Sequence, residues 1–276
     1  MKITVCGKGG CGKSTVSALL AKEFERMGKT VLVADSDESN YGLHRQLGVK
    51  LPRDFIEYFG GKEKAFKTMM AGEILDTVKL SAFAKKFYSE PFTLNEIPEE
   101  YISRNNGVML ISSGKIHQAN EGCACTMNSI LKQFIKHLTV GENVMLKRII
   151  NNLILHREDV VLLDMEAGLE HLGRGTTEGM DQFIVVIEPG ARSVQTYRNV
   201  KRLAEELGVK KVRVVANKIR DVSDEAFVKD RIPESDLLGF VHYNPEIMNA
   251  DREGVSPYDF SQTAVDEIKK IKEKLG

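Results

Sequence analysis

Residues 7–14 read Gly7-Lys8-Gly9-Gly10-Cys11-Gly12-Lys13-Ser14, and they stand between a short apolar run, ITVCG, and an amphipathic stretch, STVSALLAKEFERMGK. No other feature constrains the chain as strongly. A GxxxxGK[ST] loop needs a strand to deliver it and a helix to close it. Its glycines let successive backbone N–H groups curl around a β-phosphate, and the helix N-terminus adds positive potential. Read this way, the loop from Gly7 through Thr15 is a cradle for ATP. Lys13 reaches the β/γ oxygens, and the Ser14 hydroxyl ligates Mg²⁺ at the positive end of the helix.

The same letters spell GxGxxG from Gly7, Gly9 and Gly12, and Asp35 ends the second apolar run about where a dinucleotide fold places its ribose-binding acid. A dinucleotide loop, however, has no need of a Lys-Ser pair at the helix start. Nor does it need a Mg²⁺-coordinating acid at the end of a later strand. This chain offers both, so the phosphate-loop reading is preferred.

The runs ITVCG, TVLVAD, GVMLISSG, VVLLD, FIVVIEPG, VRVVANK and LLGFV lack two-residue alternation, as expected of strands covered on both faces of a parallel sheet. Helical patterns lie between them, including NSILKQFIKHL, NVMLKRIINNLILHRE and SVQTYRNVKRLAEELG, each long enough for the crossover that parallel strands require. With no internal repeat or linker-like tract, residues 1–276 read as one α/β domain, a doubly wound, mostly parallel sheet flanked by helices. Residues 51–106 carry mixed charged and aromatic segments, which suggest helices and loops beside the sheet.

The 39 basic and 39 acidic residues cancel, so there is no global field to hold nucleic acid or an anionic membrane, and neither is expected as a partner. The N-terminus lacks the features of a signal peptide, and no stretch reaches the length of a bilayer span. A cytoplasmic location is the expectation. Four cysteines, two of them spaced CxC, are no disulfide scaffold, and metal or redox chemistry suits the close pair better.

Further polar residues fall at strand ends. Asp35 and Asp37 close the second run beside the place of the γ-phosphate, where an acid can hold the attacking water or a metal-bound water. A polar turn is the plainer alternative. Asp164 ends VVLLD as the acid that would hold Mg²⁺ through water, and Gly168 can bring a backbone N–H near the γ-phosphate, an interaction that disappears on hydrolysis. In VVANK, Asn217 can offer adenine a donor and an acceptor, with Lys218 beside it, although a turn asparagine is a serious alternative.

KGGCGKST, with its early lysine, resembles the deviant Walker A signature of the MinD/ParA/nitrogenase-iron-protein group of P-loop ATPases. That resemblance implies ATP hydrolysis to ADP and phosphate, an ATP-dependent homodimer, and a role for Lys8 on the partner's nucleotide. It further implies that Asp37 belongs to switch I and positions the hydrolytic water, and that Asn217 reads the base. The sequence departs from the group in having Cys11 where a small apolar residue is usual; Cys11 reads as a loop filler or a reactive thiol. It departs again at Glu38-Ser39-Asn40, where Pro commonly follows the acid. DMEAGLEHLGRG, from Asp164 to Gly175, resembles switch II of the CooC-type ATPases that mature nickel carbon monoxide dehydrogenase, and LLGFVHYNPEIMNADREG resembles the group's C-terminal segment. His171 within switch II is a weak signal, since a lone histidine more often satisfies a local hydrogen bond than binds a metal.

Cys123-Ala124-Cys125 precedes a helical pattern whose dipole would favour thiolate. Two soft ligands grip a metal ion but cannot close a four-coordinate site. A two-fold axis would supply the other two sulfurs from a second copy. A redox pair and two packing cysteines are the alternatives. The CooC-type family carries a CxC at this place, which implies Ni²⁺ or Zn²⁺ held between subunits. The sequence thus predicts an ATP-driven metallochaperone that assists nickel insertion into a client such as carbon monoxide dehydrogenase or acetyl-CoA synthase. The rivals are an iron–sulfur reductase resembling the nitrogenase iron protein and a positioning ATPase of the MinD/ParA kind. The latter's membrane-bound members need a basic amphipathic C-terminal helix, and TAVDEIKKIKEKLG lacks the bulky aromatics of a membrane-seeking face, so a helix packed on the sheet is the simpler expectation.

Overall fold

The structure, a computed structural model, describes residues 1–37, 41–58, 96–112, 159–165, 180–206, 208–209 and 211–275. In chain order the described strands and α-helices are β1 (Lys2–Cys6), α1 (Lys13–Arg26), β2 (Thr30–Asp35), α2 (Leu43–Gln46), α3 (Phe55–Tyr58), β3 (Ser103–Asn105), β4 (Val108–Ser112), β5 (Asp159–Asp164), β6 (Gln182–Ile187), α4 (Ala191–Glu206), β7 (Val212–Ile219), α5 (Val222–Arg231), β8 (Leu237–His242), α6 (Pro245–Glu253), α7 (Pro257–Phe260) and α8 (Gln262–Glu273), with a 3-10 turn at Glu99–Tyr101 before β3.

The strands form a single eight-stranded sheet in the order β3-β4-β2-β5-β1-β6-β7-β8, and every pairing except β3 with β4 is parallel. From β1 the chain runs outward through β2 to β4, returns to insert β5 beside β1, and then builds the other half through β6, β7 and β8. The direction of winding reverses around β1. The crevice at the carboxyl ends of strands about such a reversal is where open α/β sheets bind ligands.

The alternating side chains of every strand but β3 feed two buried clusters, one on each face. Ile3 and Val5 of β1 join Val16, Leu19, Leu20 and Phe24 of α1 on one side, together with Ile268 and Ile271 of α8. Cys6 joins Val161, Leu163, Phe183 and Val185 on the other, under Val194, Tyr197 and Val200 of α4. Both faces of β5 and β6 are apolar because both are covered, which explains the missing alternation in those runs.

The seven apolar runs that read as strands are all strands, and STVSALLAKEFERMGK and SVQTYRNVKRLAEELG hold α1 and α4. NSILKQFIKHL and NVMLKRIINNLILHRE lie outside the described residues. Helix and loop alone were expected over residues 51–106, but β3 also lies there, as an antiparallel edge strand. It is three polar residues long, SRN, and carries no apolar signal. It exists because Asn106, at φ 51°, and Gly107 turn the chain back onto β4. The C-terminal helix α8 turns its apolar stripe inward: Val265, Ile268 and Ile271 are buried, and Gly239 of β8 leaves no room for a side chain beneath Ile271. Among the described residues no helix is long and apolar enough to cross a membrane.

Candidate active site

The phosphate loop leaves β1 at Gly7. Here φ is 153° and a β-carbon would collide with the carbonyl oxygen of Val186, the neighbouring strand's backbone. It enters α1 through Gly12, at φ 91°, where a β-carbon would run into the side-chain amide of Asn217. Both positions demand glycine, one for close approach and the other also for its left-handed backbone. The N-terminus of α1 has no side-chain cap and no acidic residue in its first turn, so its positive end is uncompensated within the helix. Lys13 is buried at 5% exposure, whereas Lys8, Gly9 and Gly10 at the loop's apex are exposed.

Strand register aligns the acids. Asp164, the last residue of β5, lies level with Val5 on one side and Asp35 on the other. It is fully buried and both carboxylate oxygens accept hydroxyl hydrogens from α1: Ser14 Oγ donates to Oδ2 at 2.7 Å and Ser17 Oγ to Oδ1 at 3.1 Å. Burial pushes the Asp164 carboxyl up to about 6, against the pull of the Ser14 hydroxyl, the Lys13 ammonium and the Ser17 hydroxyl. A hydroxyl and a carboxylate at the positive end of a helix are hard oxygen donors of the kind Mg²⁺ takes, so Ser14 and Asp164 fit that ion.

Asp35 and Asp37 are both buried, and the backbone N–H of Asp37 donates to Asp35 Oδ1 at 3.0 Å. Asp35 thereby shapes the turn that carries Asp37. Glu38-Ser39-Asn40, Gly168, His171, Cys123 and Cys125 lie outside the described residues. Among the described residues no three His, Cys, Asp or Glu side chains are grouped to hold a metal ion.

The opposite wall comes from β7. Asn217 Nδ2 donates to the carbonyl of Cys11 at 2.8 Å. Lys218, at φ 58°, extends its ammonium to the Gly10 carbonyl at 2.6 Å and to Glu188 at 2.7 Å. Both residues clasp the loop from outside. Beyond them opens a cavity of about 640 Å³, bordered by Gly12, Thr15, Asn217, Tyr243, Ile247 and Met248, within the size range of small-molecule sites. Cys11 is fully buried against the loop, and burial pushes its thiol up to about 11, which suits a filler and not a nucleophile at neutral pH.

The loop, Asp35, Asp37, Asp164, Asn217 and Lys218 are thus gathered at one end of the sheet. Sequence reasoning passed over Ser17, although its three-residue spacing from Ser14 puts both hydroxyls on one helix face. It passed over Glu188 as well, whose pairing with Lys218 only the fold creates. Tyr243, Ile247 and Met248 fall inside the segment LLGFVHYNPEIMNADREG, which resemblance alone had marked out.

Residues 2–258 match the CobQ/CobB/MinD/ParA nucleotide-binding domain. The chain is 36% identical to an uncharacterized ATP-binding protein of Methanocaldococcus jannaschii over 90% of each chain. It is 32% identical to the carbon monoxide dehydrogenase accessory protein CooC of Rhodospirillum rubrum, over 96% of this chain and 92% of that protein. Among solved structures, the septum site-determining protein MinD of Pyrococcus horikoshii, complexed with Mg-ADP, superposes with a TM-score of 0.63 at 18% identity, covering 99% of this chain and 94% of that one.

Proposed function

The chain belongs to the CobQ/CobB/MinD/ParA family of nucleotide-binding ATPases, and from that premise we propose that it is an ATP-dependent metallochaperone for a nickel enzyme such as carbon monoxide dehydrogenase or acetyl-CoA synthase. The observation that carries this reading is the 32% identity to a carbon monoxide dehydrogenase accessory protein along nearly the whole of both chains. A CxC pair at Cys123 and Cys125 supports it, and so does the switch-like run from Asp164 to Gly175.

In this reading ATP lies along the loop from Gly7 to Thr15. Lys13 neutralises the β/γ oxygens, Ser14 and Asp164 hold Mg²⁺, and Asp37 orients the attacking water. When bound, Mg²⁺ supplies charge neutralisation of the phosphates. Asn217 and Lys218 keep the loop in place beside the base, and Gly168 senses the γ-phosphate. Lys8 acts on the nucleotide of a second copy, so that ATP draws two chains together. The dimer then offers four sulfurs to one Ni²⁺ or Zn²⁺, the cargo.

Anaerobic nickel and zinc titrations of the wild type and of Cys123→Ala, each with ADP and with a non-hydrolysable ATP analogue, test the proposal. One divalent ion per dimer is expected, with its affinity dependent on the nucleotide and largely lost in the variant. Equal metal uptake by the variant, or one full site per monomer, would refute the shared site.

A further inference from the structure

Ser17 lies one helical turn beyond Ser14 on α1, with no exposed surface, and donates its hydroxyl to Asp164 Oδ1 at 3.1 Å. Ser14 donates to the other oxygen, Oδ2, at 2.7 Å. One carboxylate therefore spans two hydroxyls of a single helix face, one beside the phosphate loop and one a turn further along the helix, in the buried interior. The two are not equivalent. Ser14 stands at the second position of α1, beside the loop, whereas Ser17 sits roughly 4.5 Å further along the helix axis, behind Asp164 and away from the phosphates.

We propose that Ser17 is a positioning residue for Mg²⁺ binding. It pins Oδ1 of Asp164, so that Oδ2 alone turns toward the metal and its waters when Ser14 gives up its bond to become a ligand. The inference rests on the reading of Asp164 as the Mg²⁺-holding acid. A carboxylate on a single χ2 axis is free to rotate unless one oxygen is fixed, because that terminal torsion is broad. Two hydroxyls fix it in this structure. Once Ser14 is engaged elsewhere, Ser17 is the remaining hydroxyl on this carboxylate among the described residues. Its burial makes the bond dependable: neither Ser17 nor Asp164 has exposed surface, and the backbone of α1 holds the donor against β5.

The test is calorimetric titration of Mg²⁺ into the ADP-loaded protein, for the wild type, Ser17→Ala, Ser17→Thr and Asp164→Asn, with ADP affinity measured separately in EDTA. Ser17→Ala should weaken Mg²⁺ binding roughly ten-fold, the usual worth of a hydrogen bond to a charged group, and leave metal-free ADP affinity unchanged. Ser17→Thr, which keeps the hydroxyl, should restore wild-type Mg²⁺ affinity. Unchanged Mg²⁺ affinity in Ser17→Ala, with a large loss in Asp164→Asn, overturns the role of Ser17 alone. No loss in Asp164→Asn overturns the reading of Asp164 beneath it. If Ser17→Ala loses ADP affinity in EDTA in step with Mg²⁺ affinity, and Ser17→Thr fails to rescue, the hydroxyl serves only to pack the helix and the proposal fails.

Discussion

The side-chain amide of Asn217, at the carboxyl end of β7, donates a 2.8 Å hydrogen bond to the carbonyl of Cys11 in the phosphate loop. The same amide lies where a β-carbon on Gly12 would have to go. These two relationships tie the loop's shape to a residue more than two hundred positions away in the chain. Asn217→Ala leaves the Cys11 carbonyl without this partner, and a lost buried hydrogen bond costs about 1–3 kcal/mol. We expect ATP affinity, followed by titration with a fluorescent analogue, to fall roughly ten-fold on that account. Gly12→Ala should do more harm, since it also strains the backbone at φ 91°. The double variant should lose less than the sum of the two, because Asn217→Ala removes the atom that Gly12→Ala strikes. Strict additivity would show that the two residues do not share the loop.

Lys13 and Asp37 are both buried beside the loop but are expected to fail differently. Lys13→Ala should abolish turnover, because no other buried cation is available to the β/γ oxygens among the described residues of the loop. Asp37→Asn should keep ATP binding while slowing hydrolysis by about 100-fold or more, the usual size of a lost general-base contribution. Steady-state turnover and equilibrium binding, measured side by side, separate the two. Loss of binding in Asp37→Asn would remove its assignment to water.

The loop and Asp164 were legible in the sequence because a glycine-rich turn between strand and helix, and an acid ending an apolar run, are local patterns with local causes. The strands were legible for the same reason, since full burial erases alternation. The partnership of Asn217 with Cys11 and that of Lys218 with Gly10 and Glu188 were not. They arise from the parallel placement of β1, β6 and β7, which no short window records. The hairpin of β3 with β4 was hidden by composition: SRN is polar throughout, and only Asn106-Gly107 marked the reversal. Ser17 was hidden because the motif ends at Ser14 while the helix face continues.

Lys8 stands at the exposed apex of the loop, away from the buried Lys13. In the proposed reading Lys8 acts on the nucleotide of a second copy, and its exposure leaves it accessible to one. Lys8→Ala should retain ATP binding by the monomer and weaken ATP-induced dimerisation, read by sedimentation velocity with a non-hydrolysable analogue. Normal dimerisation of the variant would mean that Lys8 does not act across a subunit boundary.

The cysteines should divide by reactivity. Burial raises the thiols of Cys6 and Cys11 to about 12 and about 11, so neither carries appreciable thiolate at neutral pH. Cys11 also fills space against Gly7, at the base of the loop, and has no exposed surface. Cys123 and Cys125, by contrast, are proposed as metal-binding thiolates ahead of a helical sequence pattern, a setting in which thiol pKa values fall. Brief treatment of the folded protein with iodoacetamide at pH 8, followed by peptide mass mapping, should modify Cys123 and Cys125 and spare Cys6 and Cys11. The direction of the shift fixes the pH dependence. A raised pKa withholds the thiolate until high pH, so labelling of Cys11 in the native protein should stay low through pH 9, whereas in urea it should rise around the ordinary thiol value of about 8.5. Bound zinc should protect the CxC pair and leave the unreactive pair as it was. Rapid labelling of Cys11 at pH 8, suppressed by ATP, would make it a reactive thiol over the phosphates and would overturn its role as a packing residue.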